Sequence, residues 1–106
     1  MNKYLVFETK EQAEATIPLN RIKKIRLDNR LYCLARNIEG FRVFEKSCPH
    51  LGEDLSKGNL NPAGEIVCPW HSFRFSLFSG DESQKRCRSL NIYRTEWENG
   101  QLFVWV

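Results

Sequence analysis

The sequence predicts an all-β fold, a small antiparallel sandwich or barrel, on three observations. Turn signals are frequent and the segments between them are short. Several of those segments alternate apolar and polar residues with a period of two, and Asn99-Gly100 sits where a hairpin would close. In chain order, residues 1–7 are partly apolar but run at once into Glu8, and 10–15 is the one helical stretch, a turn or two before Pro18. Residues 21–27 and 31–36 flank Asp28-Asn29 as two strands flank a tight turn. In the first of them Ile22, Lys24 and Arg26 alternate with Lys23, Ile25 and Leu27. Residues 37–40 separate the second from 41–44. After a long interruption, Phe73, Phe75 and Leu77 alternate with Arg74, Ser76 and Phe78. Strands at 90–97 and 101–106, joined by Glu98-Asn99-Gly100, complete the scaffold.

A chain of 106 residues fits one domain, 1–106, with an ordinary globular balance of 42 % hydrophobic and 27 % charged residues. The net charge of +3 lacks the dense basic face that nucleic acid binding requires. Of the local basic groups, 21–26 reads as an exposed strand face and Lys85-Arg86-Cys87-Arg88 as a solvated loop. No signal-peptide core develops after Met1, and no apolar run approaches the roughly 20 residues needed to cross a bilayer. The expected location is the cytoplasm, where four Cys serve metal binding more often than disulfides.

The interruption, about 47–77, holds both His, two of the four Cys and three of the four Pro, so the scaffold carries its chemistry there. Cys48-Pro49-His50-Leu51-Gly52 is followed, after seventeen residues counted from His50, by Cys68-Pro69-Trp70-His71-Ser72. Two loops each offer a thiolate and an imidazole, the donor set of a tetrahedral zinc site or of a binuclear iron cluster. Zinc sites usually pair like ligands at short spacing, whereas each pair here is mixed. Mixing suits two irons, with Cys48 and Cys68 on one and His50 and His71 on the other. Each Pro after a Cys stiffens its turn, and Gly52 permits a positive φ.

C-P-H-L-G paired with C-P-W-H-S-F-R-F resembles the cluster-binding loops of Rieske-type proteins, above all the small soluble Rieske ferredoxins. The resemblance implies one [2Fe-2S] cluster on Cys48, His50, Cys68 and His71, carried by a cluster-binding subdomain inserted into the β scaffold. The thiolate-bound iron would lie inward and the histidine-bound iron near the surface. High-potential relatives have an extra Cys in each loop, forming a disulfide; Glu53 and Trp70 stand there instead. Those relatives also have Ser and Tyr hydroxyls where this chain has Phe73 and Phe75, which cannot donate to the cluster. A potential toward the lower end of the Rieske range, roughly −150 to +300 mV, is therefore expected. Because oxidised iron acidifies the imidazole N–H groups, the potential should also become pH-dependent at alkaline pH. Ser72 occupies a place where Gly is common in the family.

Of the other cysteines, Cys33 reads as a small buried hydrophobe and Cys87 as a passive thiol among positive charges. The leading reading is a non-catalytic electron carrier between a flavin reductase and an oxygenase or similar acceptor, docking through Pro49, Leu51, Pro69 and Trp70, the last of which serves equally well as a shield against water. The alternatives are a small Rieske subunit of a larger complex, as in nitrite reductase, and a zinc-stabilised interaction module. No second histidine-and-carboxylate set is present for a complete oxygenase.

Overall fold

Cys33, Leu34 and Ala35 are consecutive and all fully buried, which a strand achieves only when both of its faces are covered. In the computed structural model, which describes Met1–Val106, that strand is β3 (Arg30–Asn37). It lies in a four-stranded antiparallel sheet ordered β2-β3-β4-β8, with β2 Arg21–Leu27, β4 Gly40–Glu45 and β8 Ile92–Tyr93. On one face, Leu34, Phe41 and Val43 pack with Phe7, Ala13, Ile17, Leu102 and Val104. This core joins the central sheet to a second sheet, β1-β10-β9, formed by β1 Lys3–Phe7, β10 Gln101–Trp105 and β9 Thr95–Glu98. On the other face, Cys33, Ala35 and Phe44 pack with Cys48, Leu55, Ile66, Cys68, Phe73, Phe75, Leu77 and Leu90. That core carries a third sheet, β5 Asn59–Leu60, β6 Glu65–Val67 and β7 Arg74–Ser76. The antiparallel all-β reading therefore holds, arranged as three layers around a shared middle sheet.

The β2–β3 hairpin forms where Asp28-Asn29 placed it, with Leu27 opposite Arg30 and Asp28 at φ 57°. The short helix α1 (Lys10–Thr16) starts at Thr9, whose hydroxyl accepts the Gln12 N–H at 3.0 Å, and ends before Pro18. Three elements differ from the sequence expectation. Residues 3–7 form an edge strand paired with β10, although only Phe7 is buried and no two-sided apolar signal marks them. The expected strand 90–97 is two strands in different sheets: β8 pairs with β4, and β9 pairs with β10 beyond Arg94. Of 73–78 only β7 is extended, because Ser76 Oγ accepts the N–H groups of Phe78 and Ser79 and turns the chain. No helix is long and apolar enough to cross a membrane.

Candidate metal centre

Both Cys–His loops hang from the third sheet and the end of β4, over the core that contains their cysteines. The first loop is closed at its base by an isolated bridge between Ser47 and Asp54. Inside it the Cys48 N–H donates to the Glu53 carbonyl at 2.8 Å and the Gly52 N–H to the Cys48 carbonyl at 2.7 Å. The second reversal needs Gly52 at φ 76°, a value that costs an L-residue energy and glycine nothing. Asp54 then caps a 3-10 turn, Leu55–Lys57, and bonds across to Lys24 of β2 at 3.4 Å, anchoring the loop to the central sheet. In the second loop the Cys68 N–H donates to the Phe73 carbonyl at 2.8 Å, making a tight return. His71 and Ser72 both take left-handed backbone, at φ 61° and 54°. Two such residues in succession are costly outside glycine. The left-handed Ser72 also supplies the physical reason why glycine is the commoner residue at that place in the family the loops resemble.

Cys48 and Cys68 are buried, at 2 % and 1 % exposure, whereas His50 is half-buried and His71 is exposed. The rings of His50 and His71 lie edge to face with centroids 5.6 Å apart, so the loops present their imidazoles side by side. Burial raises the Cys68 thiol; the Trp70 backbone amide opposes this and the adjoining Cys48 thiol adds to it. A metal entering here must therefore displace a tightly held proton. The Nδ1 atom of His50 is buried without a hydrogen-bond partner. Such an orphan is uncommon in a folded interior and is what a metal-directed imidazole nitrogen looks like before its ion is added. No three His, Cys, Asp or Glu side chains converge on a single point.

Phe73 and Phe75, whose rings cannot donate a hydrogen bond, are both buried. Phe73 lies flat on His50, with centroids 3.7 Å apart and planes 9° from parallel. Around the imidazoles, Leu51 and Trp70 are 56 % and 54 % exposed, and Trp70 meets His71 edge-on at 5.7 Å. Glu53 and Trp70 leave no partner for a bridge between the loops, and all four cysteines are free thiols.

Residues 85–88 lie in an exposed loop, as expected, and both of its arginines are paired. Arg86 forks onto Glu82, Nε donating to Oε1 at 3.1 Å and Nη2 to Oε2 at 2.7 Å, and Arg88 forks onto Glu45 at 2.7 and 3.0 Å. Glu82 is the one buried charged residue of the chain. The spacing Glu82 to Arg86 was visible as text, but nothing in it signals a buried carboxylate outside a helix. With those charges paired, Cys87 is no activated thiolate: burial raises its thiol, helped by Glu82 and Cys48. Burial likewise pushes the Cys33 thiol up to about 12, as a passive core residue requires.

Comparison with known proteins bears on this geometry. A family model described as the Rieske [2Fe-2S] domain matches residues 3–94. The oxygenase component of a 3-ketosteroid-9-alpha-monooxygenase from Mycolicibacterium smegmatis is 32 % identical over 69 residues, 59 % of this chain and 18 % of that one. The chain thus spans less than a fifth of that relative's length. Among solved structures, the ferredoxin of carbazole 1,9a-dioxygenase from Nocardioides aromaticivorans superposes with a TM-score of 0.76 at 19 % identity, covering 94 % of this chain and 95 % of that one. A chain assigned as the small subunit of an NADH-dependent nitrite reductase from Mycobacterium tuberculosis gives 0.78 at 17 % identity, covering 97 % and 93 %. At these identities the structural likeness speaks for the fold.

Proposed function

The chain belongs to the Rieske [2Fe-2S] domain family, and from that membership we propose that it holds one cluster on Cys48, His50, Cys68 and His71 and relays single electrons between redox proteins. The observation that carries the ligand assignment is the orphaned, buried Nδ1 of His50 beside a second imidazole and above two buried thiols. Bound there, the cluster would supply a centre that takes up and releases one electron. The chain's own residues do the rest. The apolar core around Cys48 and Cys68 keeps water from the sulfur ligands. The exposed His71 offers the shortest way out for an electron, and Pro49, Leu51, Pro69 and Trp70 form an apolar collar on which a partner docks briefly.

The donor in this reading is a flavin reductase and the acceptor an oxygenase; the ferredoxin whose fold this chain shares belongs to a dioxygenase. A second reading, a small subunit within a nitrite reductase-like complex, draws on an equally complete superposition. Four reduced cysteines fit a cytoplasmic setting. Protein purified without oxygen should be coloured, contain two irons and two sulfides, and give an electron paramagnetic resonance signal on dithionite reduction. His50→Ala and Cys68→Ser should each abolish the visible bands. Colourless, zinc-loaded wild-type protein would refute the reading. Oxidation of the reduced protein by an oxygenase, without stable association, would decide for the carrier over the subunit.

A further inference from the structure

Behind His50 the structure stacks three further groups in order. Phe73 lies parallel to the imidazole at 3.7 Å, and the Arg86 guanidinium carbon sits 3.6 Å over the opposite face of that ring region. Beyond it, Glu82 holds Arg86 through two side-chain hydrogen bonds and also accepts the backbone N–H groups of Gln84 and Arg86 at 3.2 and 2.7 Å and the Ser83 hydroxyl at 3.1 Å. The Glu82 side chain is fully buried and that of Arg86 is 38 % exposed. Spacings of 3.6 and 3.7 Å put the guanidinium no more than 7.3 Å from the imidazole centre. The arrangement spans elements far apart in sequence: His50 from the first loop, Phe73 from the second, and Glu82 and Arg86 from the turn after β7, itself tied to the sheet by the Phe75–Glu82 bridge.

We propose that Glu82 and Arg86 are positioning residues for His50, acting through Phe73, and that the charge balance of this pair sets the reduction potential of the centre. The proposal rests on the cluster reading above. A guanidinium this near the histidine-bound side would by itself favour the reduced, more negative state. Glu82, lying beyond Arg86, offsets part of that field while fixing the guanidinium plane over Phe73. The pair thus holds the imidazole in place while raising the potential much less than the arginine alone would. Hydrogen bonds from Arg86 keep the Glu82 carboxyl far below the usual range, so this offset persists throughout physiological pH.

Charge and packing are separable because they predict different signs. Glu82→Gln leaves an unbalanced cation and should raise the midpoint potential, shifting the ratio of reduced to oxidised protein at fixed poise by about tenfold, or about 59 mV for one electron. Arg86→Gln leaves an unbalanced anion and should lower it by a similar factor. The double variant, neutral at both places, should return close to wild type. A merely structural pair would loosen the loop in all three variants and move all three potentials the same way. If Arg86→Gln fails to fold because the Glu82 carboxylate is left buried and unpaired, the rise in Glu82→Gln and its reversal in the double variant still decide the matter. Iron content and visible bands are recorded alongside. Wild-type protein without them would remove the cluster reading and this proposal together. Intact bands with potentials that stay put, or that shift in one common direction, would remove this proposal alone.

Discussion

Ser72 holds a left-handed φ of 54° directly after His71, which holds 61°. A side chain in this region costs roughly 1 kcal/mol that glycine does not incur. Ser72→Gly is therefore expected to stabilise the protein by about 1 kcal/mol in denaturant titration, less whatever glycine adds to the freedom of the unfolded chain. Unchanged or lower stability would show that the hydroxyl, or the rigidity of the serine backbone, outweighs the strain. One and three residues on, the phenyl rings of Phe73 and Phe75 set a second expectation. Phe73 is committed to His50 and Phe75 is fully buried, and neither can donate a hydrogen bond to a sulfur. The midpoint potential of the loaded protein should lie near the lower end of the roughly −150 to +300 mV Rieske range in protein-film voltammetry. A clearly positive value at neutral pH would contradict it.

The elements that carry the loops are pinned by close backbone contacts, and Gly80 is the tightest of them. It sits at φ 81°, its N–H donates to the Ser76 carbonyl at 2.8 Å, and its carbonyl accepts the Leu90 N–H at 2.8 Å. A Cβ there would run into the Leu90 carbonyl oxygen. Gly80→Ala should lower stability by about 2–4 kcal/mol, read as a reduced denaturation midpoint, because the turn after β7 and the strand entering β8 would have to separate. At this scale the sequence was legible where an element carried its own periodicity or turn chemistry. The β2–β3 hairpin, the short helix before Pro18 and the Asn99-Gly100 turn all declared themselves. Strands β5 and β6, two and three residues long, are too short for any period to register. The break at Arg94 was hidden because no Gly, Pro or other turn residue marks the point where the hydrogen-bonding partner changes. The two Cys–His loops stood out because they hold both His of the chain; the stack behind His50 did not, since it joins residues from three segments by contact alone.

Over the whole molecule, three acidic side chains tie the loop-bearing layer together and to the central sheet. Glu45 is drawn up by burial but brought below its usual range by Arg88 and the Asn91 amide. Asp54 is likewise opposed by burial and lowered by Ser56 and Lys24, and Glu82 is lowered chiefly by Arg86. A carboxylate whose folded value lies below its unfolded value stabilises fully above the unfolded value, about 4, and loses that contribution as pH falls toward the folded one. Unfolding free energy should thus decline steadily as pH drops below about 4, with hydrogen exchange rising first in residues 46–91. Flat stability down to about pH 3 would contradict the assignment. The same central sheet has a wider consequence. Its strand β3 sends Leu34 into one interior and Cys33 and Ala35 into the other, so neither half owns a wall the other can do without. Heat that starts at the end bearing the Cys–His loops has no seam at which to stop. The molecule should melt as one body, and loss of colour and loss of β-sheet dichroism should trace a single curve.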